Sequence, residues 1–258
     1  MCFFHAKKGV WCLCPRLFNK DCLEGMKDLP DSSIDLILCD LPYGTTACKW
    51  DAIIPFEPLW EQYNRIAKDN AAIVLFAAQP FTTKLIASNL KQYRYNWYWK
   101  KNNKTGFTFA KYQPMRCIED ICVFYKKAPI YNPQGLTMLE NPKVKQKKYT
   151  DRDHIYKQDT LLKKHTQQYT NYPAHFLEFS NEAANHKNRF HPTQKPVALL
   201  EYLIKTYTNK GDTVLDNCMG SGSTGVAAIN TNRQFIGFEL ENKYFKIAEQ
   251  RINAAVFQ

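Results

Sequence analysis

The sequence predicts a doubly wound α/β fold built on one mostly parallel sheet. Three observations predict it: short apolar runs that stop on carboxylates, a glycine loop joining a strand to a helix, and helix-length amphipathic segments between the runs. The 258 residues are 45% hydrophobic, enough for a sizeable core. No apolar run nears the roughly 20 residues needed to span a bilayer, and Val10–Cys14 is too short for a signal-peptide core, so a cytoplasmic protein without membrane association is expected.

Residues 1–16 read as an extension outside the fold. Cys2, His5, Cys12 and Cys14 do not match structural zinc spacings, so no metal is expected there. Nine cysteines without a C-x-x-C pair point to reduced, mostly buried thiols. The run Ile34–Cys39 reads as a strand and ends on Asp40-Leu41-Pro42-Tyr43. Pro42 disfavours the helical region for Leu41 and has no N–H of its own. The corner therefore groups a carboxylate, a backbone carbonyl and an aromatic ring: two acceptors for an exocyclic amine and a surface for its ring. The plainer alternative is a strand-terminating turn. A loop from Thr45 to Asp51 carries Lys49 and Trp50. Phe56–Lys68 reads as a helix with Pro55 and Pro58 near its start. Ala71–Phe76 reads as a buried strand and Pro80–Leu90 as a helix. Gln92–Trp99 and Glu119–Tyr125 read as strands, for which the known topology of this fold class implies antiparallel pairing at one sheet edge. Between them lies a basic loop, Lys100–Phe107 and Lys111–Met115, with Lys104 as a candidate phosphate contact.

Residues 126–195 carry 13 Lys/Arg against 6 Asp/Glu, and five of the six histidines, within a chain of net charge +11. This segment is either a solvated surface insertion or a region contacting phosphates and base edges, with Lys147, Lys148 and Arg189 as candidates. Val197–Ile204 reads as a helix, and Thr213–Leu215 as a strand running into Asp216 and the glycine loop, 176 residues after Asp40. Ser223–Ile229 is the next helix, and the strand Gln234–Phe238 ends on Glu239, placed to accept from ribose hydroxyls. Gly220, Gly222 and Gly225 match G-x-G-x-x-G, so a dinucleotide enzyme is an alternative. A dehydrogenase leaves the Asp40 corner unexplained, and only 19 residues follow Glu239, too few to complete a sheet.

Together these residues resemble the S-adenosylmethionine-dependent amino-methyltransferases that act on DNA adenine N6 or cytosine N4. The order matches their β-type, permuted arrangement: catalytic motif, target-recognition region, cofactor loop. Asn19–Met26 and His191–Pro196 match two further motifs, and the resemblance spans roughly residues 17–255. It implies a seven-stranded Rossmann-like sheet with an irregular basic insertion, a catalytic half at 17–126, a target-recognition region at 127–190 and a cofactor-binding half at 191–258. It implies catalysis by Asp40, Leu41, Pro42 and Tyr43. It further implies cofactor contacts from Asp21, Cys22, Asp40, Thr193, Lys195, Asp216, Asn217, Cys218, Gly220, Ser221, Gly222, Ser223, Thr224 and Glu239, with Thr193 and Lys195 near the methionine carboxylate. DNA contacts are expected from Lys49, Trp50, Lys104, Lys147, Lys148 and Arg189, on an extruded base. Leu41 stands where the family has proline and Cys218 where it has phenylalanine. Expected partners are DNA and a cognate restriction endonuclease, with a monomer or homodimer as the assembly. Asp at the first catalytic position resembles the adenine enzymes; the alternatives are cytosine-N4 methylation, an RNA substrate, or a non-catalytic DNA-binding module.

Overall fold

The computed structural model describes residues 14–45, 51–145, 165–180, 190 and 194–257. They form two compact units: one comprises the chain to Asn132 together with His175 onward, and the other is Pro133–Ala174.

The larger unit is built on an eight-stranded sheet. In chain order its elements are β1 (Arg16–Phe18), α1 (Cys22–Lys27), β2 (Ile34–Asp40), α2 (Phe56–Ile66), β3 (Ala67–Ala77), α3 (Phe81–Ser88), β4 (Tyr93–Thr105) and β5 (Arg116–Phe124). The smaller unit contributes β6 (Thr137–Lys145) and β7 (His165–Thr170). The larger unit resumes with β8 (Phe176–Glu178), α4 (Val197–Tyr207), β9 (Thr213–Asp216), α5 (Ser223–Asn230), β10 (Gln234–Phe238) and α6 (Asn242–Val256). The sheet order is β1-β10-β9-β2-β3-β5-β4-β8, so two late strands insert between two early ones. β2 pairs parallel with β9, Leu36 opposite Val214 and Ile37 opposite Leu215, which makes Asp40 and Asp216 ends of neighbouring strands.

Helices cover both faces, and the side-chain alternation of each strand sorts residues between them. On β2, Ile37 and Cys39 join one apolar cluster with Met26 of α1, Tyr63 of α2 and Leu85 of α3. Leu36 and Leu38 join the other, with Leu203 of α4, Ala227 of α5 and Ile252 of α6. A strand buried on both faces must be apolar where it is covered, which is why 36–39 reads as an unbroken run, while Asp35 near its start is only partly buried and pairs with Lys68.

The sheet corrects several expectations. It has eight strands, not seven, because the three-residue β8 pairs parallel with β4 and takes the edge expected of the β4–β5 pair. Arg16, expected in an extension, opens β1 and faces Ile236 of β10. The expected loop at 100–107 is largely strand: β4 runs on to Thr105, which pairs with Arg116. Between Lys100↔Ile118 and Thr105↔Arg116 the register shifts, so residues 101–104 bulge opposite one partner residue. The tip is closed by Gly106 at φ +90° and a 3-10 turn over Phe107–Phe109. α2 ends at Ile66 rather than Lys68, and β3 starts at the next residue.

In the smaller unit β6 and β7 pair antiparallel, with Thr137 opposite Thr170. Asn171 Nδ2 donates to the Gly135 carbonyl at 2.6 Å across its base. Among the described residues no helix is long and apolar enough to cross a membrane.

Candidate active site

A cavity of about 730 Å³ opens at the carboxyl ends of β2, β9 and β10, within the range of small-molecule sites. It brings together the expected residues Asp21, Cys22, Asp40, Leu41, Pro42, Tyr43, Lys195, Asp216, Asn217, Cys218, Gly220, Ser221, Ser223, Thr224 and Glu239. Gly222 lies behind this wall. Thr193, Lys49, Trp50, Lys147, Lys148 and Arg189 lie outside the described residues, as do Cys2, His5 and Cys12. Lys104 is exposed on the β4 bulge and is not part of the cavity lining, although its neighbours Asn103 and Thr105 are.

Asp40 ends β2 with 23% of its side chain open. Its Oδ1 accepts from the Tyr43 hydroxyl at 2.8 Å and its Oδ2 from Lys195 Nζ at 2.5 Å. The same ammonium lies 2.9 Å from Oε1 of Glu119, a β5 residue only 4% exposed. Glu119 also pairs with Lys101, and its Oε1 lies 3.1 Å from the Tyr43 hydroxyl oxygen. Burial raises the Asp40 pKa above the ordinary carboxylate range, and Glu119 adds to this, while Lys195 offsets part of it. Burial works against the charge of Glu119 too, yet Lys195 and Lys101 together outweigh it and hold that carboxyl low. Lys195, expected at the cofactor tail, is thus seated between two carboxylates.

The turn after Asp40 is held from both sides. Leu41 sends its side chain into the core, 3% exposed, where burial contributes about 2 kcal/mol. That anchor accounts for leucine in a place usually proline. The Tyr43 ring stacks on Phe81 at 5.0 Å, so one of its faces is already covered. Asp51 closes the other side: Oδ1 accepts from the Tyr43 N–H at 2.8 Å and the Gly44 N–H at 3.0 Å, and Oδ2 from the Thr45 N–H at 2.9 Å.

Across the cavity, Gly222 caps α5 at φ +79°, and a Cβ there would meet the Ala248 backbone at 2.9 Å. The loop must therefore be glycine both for its left-handed backbone and for the approach of α6. Glu239 braces it: Oε2 accepts from the Gly220 N–H at 2.9 Å and Oε1 from the Glu241 N–H at 2.8 Å. Asp216 is 3% exposed, accepts from the Cys218 N–H at 3.0 Å, and is pushed up by burial to about 6. Asn217 is a buried bracket, taking the Tyr63 hydroxyl at 2.5 Å. Asp21 Oδ1 caps α1 through the Glu24 N–H at 3.0 Å. Cys218 packs against the first core cluster beside the cavity, a smaller apolar surface than phenylalanine.

The lining suits a cofactor with hydroxyls, a cationic end and a flat base: acceptor carboxylates at Glu239 and Asp216, and apolar wall from Leu23 and Ile54. Glu119, Asp51, Lys101 and Arg116 also line the cavity and were not singled out from the sequence. The one available signal for Glu119 was a pair of acidic residues, Glu119 and Asp120, before the apolar run 121–125.

The model of the N6/N4 methyltransferase family, described as DNA methylase, matches residues 34–250. The chain is 30% identical over 254 residues to the Type II methyltransferase M.HpaI of Haemophilus parainfluenzae, covering 93% of this chain and 74% of that one. It is 28% identical over 252 residues to the DNA adenine methyltransferase YhdJ of Escherichia coli (strain K12), covering 93% and 83%. The crystal structure of an M1.HpyAVI–SAM complex superposes with a TM-score of 0.63 at 26% identity, covering 93% of this chain and all of that one. The order of strands, the Asp40 corner facing the glycine loop, and these matches lead to one conclusion: the chain belongs to the DNA methylase family of S-adenosylmethionine-dependent N6- and N4-amino methyltransferases.

Proposed function

We propose that this enzyme transfers a methyl group from S-adenosylmethionine to the exocyclic N6 of an adenine extruded from DNA. The observation that carries the reading is that the Asp40 corner and the glycine loop, far apart in sequence, line one cavity. Glu239 and Asp216, with the loop from Cys218 to Thr224, would hold the cofactor, whose sulfonium supplies an activated methyl. The protein's part is positioning and electrostatics.

Each Asp40 oxygen retains acceptor capacity beyond its Tyr43 and Lys195 contacts, since a carboxylate offers about four lone-pair sites. One of these, with the Leu41 carbonyl, receives the two N–H bonds of the amino group and aims its lone pair along the cavity. The uncovered face of Tyr43 stacks on the base. As the new N–C bond forms, the nitrogen becomes acidic, and Asp40, raised by burial, is the acceptor for the proton it sheds.

DNA as substrate is supported by charge. From Lys100 to Ile118 the chain has five Lys/Arg and no acidic residue, with Phe107, Phe109 and Tyr112 exposed at its tip. Lys104 belongs to this stretch; Lys49, Trp50, Lys147, Lys148 and Arg189 extend the proposed contact set, and residues 127–190 are the proposed target-recognition region. Adenine is favoured by Asp at the first catalytic position and by the name of the YhdJ relative; cytosine N4 is the second reading. The test is incubation with labelled cofactor and mixed DNA, then nucleoside mass spectrometry. N6-methyladenine is expected; N4-methylcytosine supports the second reading, and no modified base rejects both. Asp40→Ala should abolish turnover with cofactor affinity kept, and near-normal methylation by that variant rejects the role of Asp40.

A further inference from the structure

Lys195 and Glu119 are charged, nearly closed off from solvent (8% and 4% exposed), and placed on the wall of the cavity that holds Asp40. With Asp40, Tyr43 and Lys101 they make a network of five side chains. Lys195 Nζ bridges Asp40 Oδ2 at 2.5 Å and Glu119 Oε1 at 2.9 Å, and Lys101 balances the second carboxylate. The Tyr43 hydroxyl, with a single proton, lies nearer Asp40 (2.8 Å) than Glu119 (3.1 Å) and so donates to Asp40. Lys195 also lies 5.0 Å above the Phe76 ring, which limits the swing of its long side chain. Buried ion networks are poor stabilisers compared with apolar packing, so their presence here is not accounted for by stability. Lys195 and Tyr43 instead converge on the Asp40 carboxylate, with Glu119 holding the Lys195 ammonium from its other side.

We propose that Glu119 and Lys195 are positioning residues for methyl transfer: Glu119 anchors the Lys195 ammonium, and the anchored ammonium fixes the charge and rotation of Asp40. The inference rests on the role of Asp40 proposed above. Without the anchor, the Lys195 ammonium keeps Asp40 as its remaining carboxylate partner but is free to rock about it, so the plane of Asp40 is no longer set. With it, Oδ1 and Oδ2 each have one partner fixed, and the remaining lone pairs face the cavity. The charged and titratable groups around Asp40 come from several elements: Tyr43 in the turn, Lys195 before α4, Glu119 on β5, Asp216 on β9 and the Cys39 thiol on β2 itself. Glu119 and Lys195 act on it with opposite sign.

The opposite signs give the test. The titration midpoint of the Asp40 carboxyl is followed by carbon-13 NMR in the cofactor-free, DNA-free protein. Glu119→Gln should move it down, since a repelling charge is removed, and Lys195→Met should move it up. In steady-state kinetics Glu119→Gln should lower kcat about a hundredfold, as for a misplaced reacting group, with KM for S-adenosylmethionine nearly unchanged. Glu119→Asp, which keeps the charge, should recover part of the loss. A midpoint that stays still in both variants, or moves the same way, overturns the proposal. So does Lys195→Met raising KM for the cofactor with kcat intact, the result expected of a tail ligand. If Glu119→Gln does not fold, Lys195→Met against Lys195→Arg decides by the same midpoint. Because the NMR arm uses neither cofactor nor DNA, its failure is separable from a failure to find methylated bases.

Discussion

Asp216 shows what a single residue gives up for a site. Its carboxyl, pushed to about 6 by burial, must ionise inside the protein at neutral pH, although the unfolded chain ionises near 3.8. Below about pH 4 both states are protonated and the group costs nothing. Between about 4 and 6 only the unfolded state loses its proton, so stability falls as pH rises, and above 6 the cost is constant at about 3 kcal/mol. Asp216→Asn should therefore raise the Tm of the cofactor-free protein by about 5 °C at pH 8 and leave it unchanged near pH 4. An equal gain at both pH values, read by thermal melts, would show that burial of the charge is not the cause. Asp216 was legible in the sequence because it ends an apolar strand before glycines. Glu119 was not, since its partners Lys195 and Tyr43 are 76 residues distant in chain order. One carboxylate in a strand carries no local signal of what it meets.

At the scale of elements, the turn after Asp40 is an example of backbone held by a side chain. Three successive N–H groups, from Tyr43 to Thr45, all donate to one Asp51 carboxylate that is 7% exposed. Asp51→Ala would leave these donors without that acceptor, at about 1–3 kcal/mol for each one left unsatisfied. The turn would relax and displace the Leu41 carbonyl and the Tyr43 ring. The expected result is a fall in kcat of about a hundredfold with cofactor affinity unchanged, checked by single-turnover rates beside a cofactor titration. Weakened cofactor binding at full kcat would refute it. Elements with two apolar faces, such as β2 and β9, were readable because burial on both sides demands an unbroken run. The outer part of β4 was not. Residues 100–105 are polar, and what ties them to the sheet is the pairing of Lys100 and Thr105 with β5 on either side of the bulge, through backbone hydrogen bonds that any side chain permits.

On the scale of the whole molecule, the chain order is permuted while the site is not: β9 and β10 enter between β1 and β2, so each half of the sequence supplies one wall of the cavity. The net charge of +11 acts at this scale as well, as a field favouring a polyanion before any specific contact forms. The tip of the β4–β5 hairpin concentrates it, with Lys104 and Lys111 exposed beside Phe107 and Tyr112. Each phosphate contact releases condensed counterions, so binding weakens linearly in log K against log salt, with a slope proportional to the contacts made. Replacing both lysines, as Lys104→Ala with Lys111→Ala, should reduce that slope by about two. It should weaken binding by a similar factor on DNAs of different sequence, because phosphates carry no base identity. Titrations by fluorescence anisotropy between about 50 and 200 mM salt span the range in which such slopes are measured. An unchanged slope would place the DNA on another face of the protein, and a loss confined to one sequence would make these lysines readers of bases instead.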